Sequence, residues 1–286
     1  MAENIKTMKL YNNVERIWNE VNLWTSDSQA KLDVERLNSF DMYNYCGATA
    51  MDEFICNCGV TSDSSVLDVG CGIGGPARYV AKKVNATVVA IDIQSDCIDA
   101  AVELTRRCSL SHLVDFLVGD FCDGPGPSLS LLGKKNGRSK FDSVSSWLVF
   151  LHVPLVKRPV LFSSCFSCLR TDGIMQIEDY FMINPFTAVE RQSLLEDVYC
   201  PGLPTQQQYI AALEGAGFVD VVFESMTDRW NEFVHSRLEV YKKQKNRHIR
   251  IHGIATVVGL TFFYERVAEL FAGGNLGGAR ILARRP

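Results

Sequence analysis

The sequence predicts an α/β fold: a doubly wound, mostly parallel seven-stranded sheet with helical lids at the N-terminus and after the fifth strand. Three observations carry that expectation. From Ser64 onward, short apolar runs alternate with stretches of helical period, the pattern of parallel strands joined by crossover helices. The stretch Val66-Leu-Asp-Val-Gly-Cys-Gly-Ile-Gly-Gly75 runs into Pro76-Ala-Arg-Tyr-Val-Ala81, so a buried strand passes through a glycine turn into a helix that opens with proline. Right-handed crossovers bring the C-terminal ends of the strands to one rim, and polar residues close several of them.

The elements follow in order. A helix over 13–23 sets Val14, Ile17, Trp18 and Val21 on one face, and a second carries Met51, Phe54 and Ile55. Between them lies the aromatic stretch Phe40-Asp-Met-Tyr-Asn-Tyr45. Strands are expected at 66–69, 87–92, 114–118, 141–145, 174–177, 219–224 and 279–283. Helices are expected at 76–84, 96–109, 153–169, 188–198, 205–216, 228–245 and 262–271. Asp123 to Lys140, rich in Gly, Pro, Ser and Lys, reads as an exposed loop. No repeat or linker divides the chain, so a single domain is expected. Residues 1–60 form its N-terminal lid, 61–183 its cofactor-binding core, and 184–286 its substrate-side lid and last strands.

At 286 residues, with 47% hydrophobic and 22% charged content, the composition is that of a soluble globular protein. A net charge of −4 leaves no electrostatic footprint for nucleic acid. The longest apolar segment, 254–263, is too short to span a bilayer, and the first ten residues lack the apolar core of a signal peptide. Ten cysteines follow no framework spacing. Cys56-x-Cys58 and Cys165-x-x-Cys168 have no second pair or paired histidines, so no metal is expected. Free thiols fit a reducing compartment, and a cytoplasmic location is the expectation. The basic run Lys242 to Arg250 reads as a solvated helix face. Neither composition nor motif sets an oligomeric state.

Gly70, Gly72 and Gly75 satisfy G-x-G-x-x-G, which also serves dinucleotides. Asp68, two residues before the first glycine, separates the readings, because a carboxylate there opposes a pyrophosphate and suits a cation. Asp-Val-Gly-Cys-Gly-x-Gly-Gly resembles the first motif of class I S-adenosylmethionine (SAM) methyltransferases, whose sheet is Rossmann-like. The resemblance implies SAM as cofactor and a small-molecule substrate. It assigns the backbone of Gly70 and Gly72 to the cofactor's ammonium, and Asp92 with Ile93 to its ribose and adenine. Asp120 and Phe121 fall to the adenine amine and ring, and Trp147 to the methionine part. Asp120 also reads as a loop-start cap. Arg78, on the helix after the turn, reads either as partner of the cofactor carboxylate or as half of a surface ion pair.

Methyl transfer from a sulfonium is an in-line displacement, which rewards alignment and the exclusion of water. A nitrogen nucleophile must arrive unprotonated. His152, just past the fourth strand in Phe150-Leu-His-Val153, is placed to accept a proton or orient the nucleophile; the rival reading is a helix cap. Of the neighbours Glu178 and Asp179 only one can enter the cleft, and Asp179 is the candidate. Tyr11 joins His152 and Asp179 as a catalytic candidate. Tyr43, Tyr45, Tyr180, Tyr199 and Tyr264 are candidate walls for the substrate, able to attract a methylated ammonium. Core packing is the rival reading of each.

The resemblance narrows. Tyr11 to Trp18, Phe40 to Gly47, Phe-Leu-His, Glu178-Asp-Tyr180 and Thr227-Asp-Arg-Trp-Asn231 are similar in arrangement to two groups. These are the phosphoethanolamine methyltransferases and the sarcosine/dimethylglycine N-methyltransferases. The Gly-Gly-Pro-Ala-Arg stretch is similar to that of sterol and tocopherol C-methyltransferases. In the phosphobase enzymes a basic patch precedes the tyrosine near Tyr199, whereas Leu195-Glu-Asp-Val-Tyr199 is acidic. That difference favours an amine or amino acid over a phosphorylated substrate. N-methylation of a small soluble amine is therefore the expectation. The alternatives are phosphoethanolamine methylation, C- or O-methylation of a sterol-, tocopherol- or phenol-like molecule, and a silent SAM-binding protein.

Overall fold

The structure, a computed structural model, describes residues 7–8, 10–12, 14–124 and 140–286. The loop expected over 123–140 falls mostly outside that set, as does residue 13 at the start of the first expected helix.

Among the described residues three helices precede the sheet: α1 (Glu15–Asn22), α2 (Val34–Asp41) and α3 (Gly47–Asn57). The second was not anticipated. Its signal was Asp33, whose carboxylate accepts the Arg36 N–H at 2.9 Å as an N-cap. The alternation then runs β1 (Ser65–Val69), α4 (Gly75–Val84), β2 (Thr87–Asp92), α5 (Ser95–Arg107), β3 (Val114–Val118), β4 (Phe141–Trp147), α6 (Arg158–Cys168) and β5 (Leu169–Met182). After it come α7 (Ala188–Glu196), α8 (Gln206–Gly215), β6 (Val219–Ser225), α9 (Thr227–Lys243), α10 (Lys245–His252), α11 (Ile254–Ala272) and β7 (Leu276–Arg284).

The seven strands form one sheet in the order β3-β2-β1-β4-β5-β7-β6. β1 pairs in parallel with β2 and β4, β2 with β3, and β4 with β5. Only β7 runs against its neighbours. Every residue of β1 is buried, because helices cover both faces. On one face Leu67 and Val69 pack with Phe150, Phe162 and Tyr209; on the other Val66 packs with Phe54, Val80 and Trp147. Strand order reverses between β1 and β4, and a crevice opens at that point, beyond their C-terminal ends.

Two strands far outrun their expected limits, each for a physical reason. β5 has 14 residues instead of the four expected, because Glu178 and Asp179 find buried partners and so do not end it. β7 begins at Leu276, through glycines that read as loop. A Cβ on Gly278 would stand 2.0 Å from Trp230, so the glycine admits that ring onto the strand. The basic run over 242–250 is also not a plain solvated face. Arg247 pairs with Glu20 of α1 at 2.6 Å, Lys242 pairs with Glu265 of α11 at 2.9 Å, and His248 stacks on Tyr241 with centroids 4.4 Å apart. Cys165 and Cys168 are buried free thiols. No helix among the described residues is long and apolar enough to cross a membrane.

Candidate active site

The crevice beyond β1 and β4 is a cleft of about 1020 Å³, open mouth included. Its floor is the glycine turn, and here the backbone decides what can bind. Gly70 has φ +77°, and a Cβ on it would lie 2.3 Å from the Val149 side chain, so only glycine fits. The N–H groups of Gly70 and Cys71 donate to the Ile91 carbonyl at 2.8 and 3.1 Å. Gly72 N–H donates to Asp92 at 2.8 Å, and Gly74 N–H to the Cys71 carbonyl at 2.9 Å. Four donors that would cradle a pyrophosphate in a dinucleotide site are thus already engaged. What the turn has left to offer is carbonyl oxygen, which suits an ammonium.

The strand ends supply the walls. Asp92 accepts from Gly72 and, at 2.9 Å, from the Gln94 N–H; burial pushes its carboxyl up against those backbone bonds. Asp92, Ile93, Asp120, Phe121 and Trp147 all line the cleft. Asp120 does so while capping a short 3₁₀ turn, accepting from Cys122 N–H at 2.9 Å. Asp92 and Asp120 as polar acceptors, with Ile93 and Phe121 as apolar faces, match the polar edge and flat ring of an adenosyl group. The donor set therefore fits the cofactor that the sequence implies. Asp68 lies behind the floor instead of in the wall. It accepts from Ser145 Oγ at 2.9 Å, and burial pushes its carboxyl up to about 7.

At the substrate end stand His152, Tyr11 and Tyr43. The Tyr11 ring meets His152 edge-on at 6.0 Å and lies 6.1 Å from Tyr43. His152 Nδ1 donates to the Tyr199 carbonyl at 3.2 Å, which fixes the tautomer that leaves Nε2 as the acceptor. Burial, against that hydrogen bond and aided by Arg158, lowers its pKa to about 4, so the ring is neutral at physiological pH. Burial pushes the Tyr43 hydroxyl up to about 12 and Tyr11 further, so both stay protonated donors.

Several candidates stand elsewhere. Arg78 lies neither along the cleft nor on the surface. It is fully buried, pairs with Asp41 at 2.9 Å, and donates to the Ala101 carbonyl and Thr105. Asp179 is buried away from the cleft, accepting from Leu151 N–H at 3.1 Å and Tyr209 OH at 3.0 Å, with Arg158 at 4.0 Å. It braces the segment that carries His152. Asp179→Ala is accordingly expected to lower stability by about 3–5 kcal/mol, because Arg158 loses its carboxylate. A urea melt at wild-type stability combined with lost turnover would return Asp179 to the substrate. Glu178 pairs with Arg280 of β7 at 2.7 Å, and Arg280 also reaches Glu53.

Tyr45 and Tyr180 hydrogen-bond to each other in the core beside Trp230 and Phe271, so neither is a substrate wall. Tyr199 contributes its carbonyl, and its hydroxyl bonds Thr7 at 2.6 Å. Tyr264 lines a second cavity, which shares Tyr43 and Asn44 with the cleft.

Residues 66–173 match the sequence family described as "Methyltransferase domain". Phosphoethanolamine N-methyltransferase 1 of Arabidopsis thaliana is 30% identical over 222 residues, covering 78% of this chain and 42% of the relative. The Plasmodium falciparum phosphoethanolamine N-methyltransferase is 25% identical over 226 residues, covering 77% of this chain and 78% of that one. Among solved structures, Haemonchus contortus phosphoethanolamine N-methyltransferase 2, in complex with phosphomonomethylethanolamine and S-adenosylhomocysteine, superposes with a TM-score of 0.75 at 21% identity. It covers 86% of this chain and 55% of that chain. The chain spans less than half the length of the plant relatives it matches. Over residues 66–173, fold and glycine turn together resemble a class I methyltransferase domain of the Rossmann-like kind. Within that class, the chain is similar to phosphoethanolamine N-methyltransferases.

Proposed function

We propose that this chain is a SAM-dependent methyltransferase acting on the nitrogen of a small soluble amine. The observation that carries the reading is a neutral, buried His152 beside Tyr11, at the rim of a cleft floored by the satisfied glycine turn. In this reading the carbonyls of the turn take the cofactor's ammonium, Asp92 its ribose hydroxyls, and Asp120 with Phe121 its adenine. Bound there, SAM supplies a methyl group on a cationic sulfur. His152 Nε2 accepts a hydrogen bond from the amine and turns its lone pair toward that methyl group. A histidine of pKa about 4 is too weak a base to hold the proton, so its work is orientation. Tyr11 keeps its own proton and fixes the imidazole edge. A cytoplasmic location, supported by the free thiols, and the division into N-terminal lid, core and substrate-side lid belong to the same proposal.

The test is S-adenosylhomocysteine release against glycine, sarcosine, dimethylglycine, phosphoethanolamine, small biogenic amines, and sterol or phenol acceptors. Turnover confined to amines supports the reading; turnover only on sterols or phenols overturns the nitrogen assignment. His152→Asn is expected to lower kcat about 100-fold while leaving SAM affinity unchanged. Because folded His152 stays neutral down to about pH 4, the acid limb of wild-type kcat should follow the amine acceptor, with no step near 6.5. An unfolded histidine takes up its proton near pH 6.5. The stability His152 contributes is therefore whole above about pH 6.5 and is lost as pH falls from there toward 4.

A further inference from the structure

Helix α11 carries apolar residues on two faces. Val257, Leu260, Phe263 and Val267 are buried against the body of the protein. Ile254, Val258 and Phe262, spaced four residues apart, form a second stripe that points outward, 66%, 57% and 43% exposed. With Ala255 and Gly259 they line a shallow groove. A helix apolar on both faces ordinarily has both covered, yet this stripe lies open.

The charges around the stripe say what covers it. Lys242 pairs with Glu265 at 2.9 Å, which holds the end of α9 beside α11, one turn from Phe262. The Arg266 guanidinium lies 5.2 Å from the Phe262 ring centroid. At the other end, Arg250 precedes Ile254 by four residues, across Gly253. Over 239–269 six basic residues stand against three acidic ones, in a chain whose net charge is −4. Pairing removes Lys242 with Glu265, Arg247 with Glu20 of α1, and Arg266 with Glu269. Lys243, Lys245 and Arg250 are exposed and, among the described residues, have no carboxylate partner. Glu239, the remaining acid, is outnumbered by them. His248 and His252 add no charge at neutral pH, because burial lowers both below their ordinary range. The surplus beside the stripe is positive.

An outward apolar stripe bordered by unpaired bases is the pattern of a helix lying in the headgroup layer of a bilayer. The stripe sinks to the acyl boundary while lysine and arginine stems reach back to the phosphates. α11 has 19 residues but is not apolar enough to cross, so it lies in the surface. An apolar protein face would also cover the stripe, but the unpaired bases favour an anionic one. We propose that the face formed by α10 and the start of α11 docks on an anionic membrane surface. Ile254, Val258 and Phe262 are the inserted stripe, and Lys243, Lys245 and Arg250 make the headgroup contacts. This docking does not depend on the methyl-transfer reading.

The full chain is sedimented with vesicles of phosphatidylcholine alone and of about three parts phosphatidylcholine to one part phosphatidylserine, at low and high salt. Anionic vesicles are expected to bind about 10-fold more tightly or better, and high salt to erode that advantage. Lys243→Gln, Lys245→Gln and Arg250→Gln combined should lower partitioning onto anionic vesicles about 100-fold, since each base near the surface contributes a factor of about five. Val258→Ser with Phe262→Ser should lower it about 10-fold with the charge untouched. Every substituted side chain is exposed, so urea melts are expected to match wild type. If the serine pair fails to fold, Phe262→Ser alone and the charge variant decide. Equal binding to neutral and anionic vesicles, no binding to either, or unchanged partitioning in either variant overturns the inference. Sedimentation velocity without lipid tests the rival occupant. A dimer that dissociates in Phe262→Ser, with no vesicle binding, assigns the stripe to a second copy of the chain and overturns the inference.

Discussion

Asp92→Ala is expected to weaken SAM binding about 1000-fold, the largest loss any single cleft residue should give. The carboxylate has two tasks. It holds the glycine turn, accepting from Gly72 N–H at 2.8 Å and Gln94 N–H at 2.9 Å, and it presents an acceptor to the ribose hydroxyls. A hydrogen bond to a charged group contributes about 1.5–3 kcal/mol, and two lost together span roughly two to four decades in affinity. Asp92→Asn keeps the shape and one acceptor oxygen, so an intermediate loss of roughly 10- to 100-fold is expected. Calorimetric titration with SAM measures both variants, and urea melts report what the turn loses in the absence of ligand. SAM affinity within threefold of wild type in Asp92→Ala would remove the residue from the cofactor site.

The second large effect is on stability. Arg78 and Asp41 form a pair at 2.9 Å with both side chains closed to solvent. Even so, burial outweighs the guanidinium and pushes the Asp41 carboxyl up. The pair is therefore strained by desolvation, and removing one partner leaves the other worse placed. Arg78→Met is expected to cost about 3–5 kcal/mol, whereas Arg78→Met with Asp41→Leu should regain most of it. Urea midpoints for the two singles and the double close the cycle. Asp41 lines the cleft, so SAM affinity measured alongside separates a packing role from a binding one. A single Arg78→Met with wild-type stability would mean the pair is more wetted than its burial implies.

The parts of the site that sequence made legible are the local ones. The glycine turn, Pro76, and the acids closing the second and third strands announce themselves within a few residues. Alternation along the fifth strand also placed Glu178 and Asp179 on opposite faces. What alternation cannot tell is what each face meets. Glu178 finds Arg280, 102 positions later, and Asp179 finds Tyr209, 30 positions later. Tyr45 and Tyr180 are joined across 135 positions, and that union takes both out of the substrate wall. Arg78 was misread for the same reason, since helical spacing does not show that α2 lies over it. The outward stripe of α11 left a usable trace. Ile254, Val258 and Phe262 recur every four residues, just after a basic run.

The position of β7 has a consequence for how the protein is made. The last strand of the chain lies between β5 and β6, pairing with both. While residues 276–284 are still inside the ribosome, β5 and β6 each keep an open edge, and Glu178 lies on one of them without Arg280. The parallel half of the sheet can assemble vectorially as it emerges. The other half waits for a distant segment, a high-contact-order closure that is slow and leaves strand edges exposed to other chains. The edges of β5 and β6 stay open to other chains until Leu276–Arg284 pairs with both.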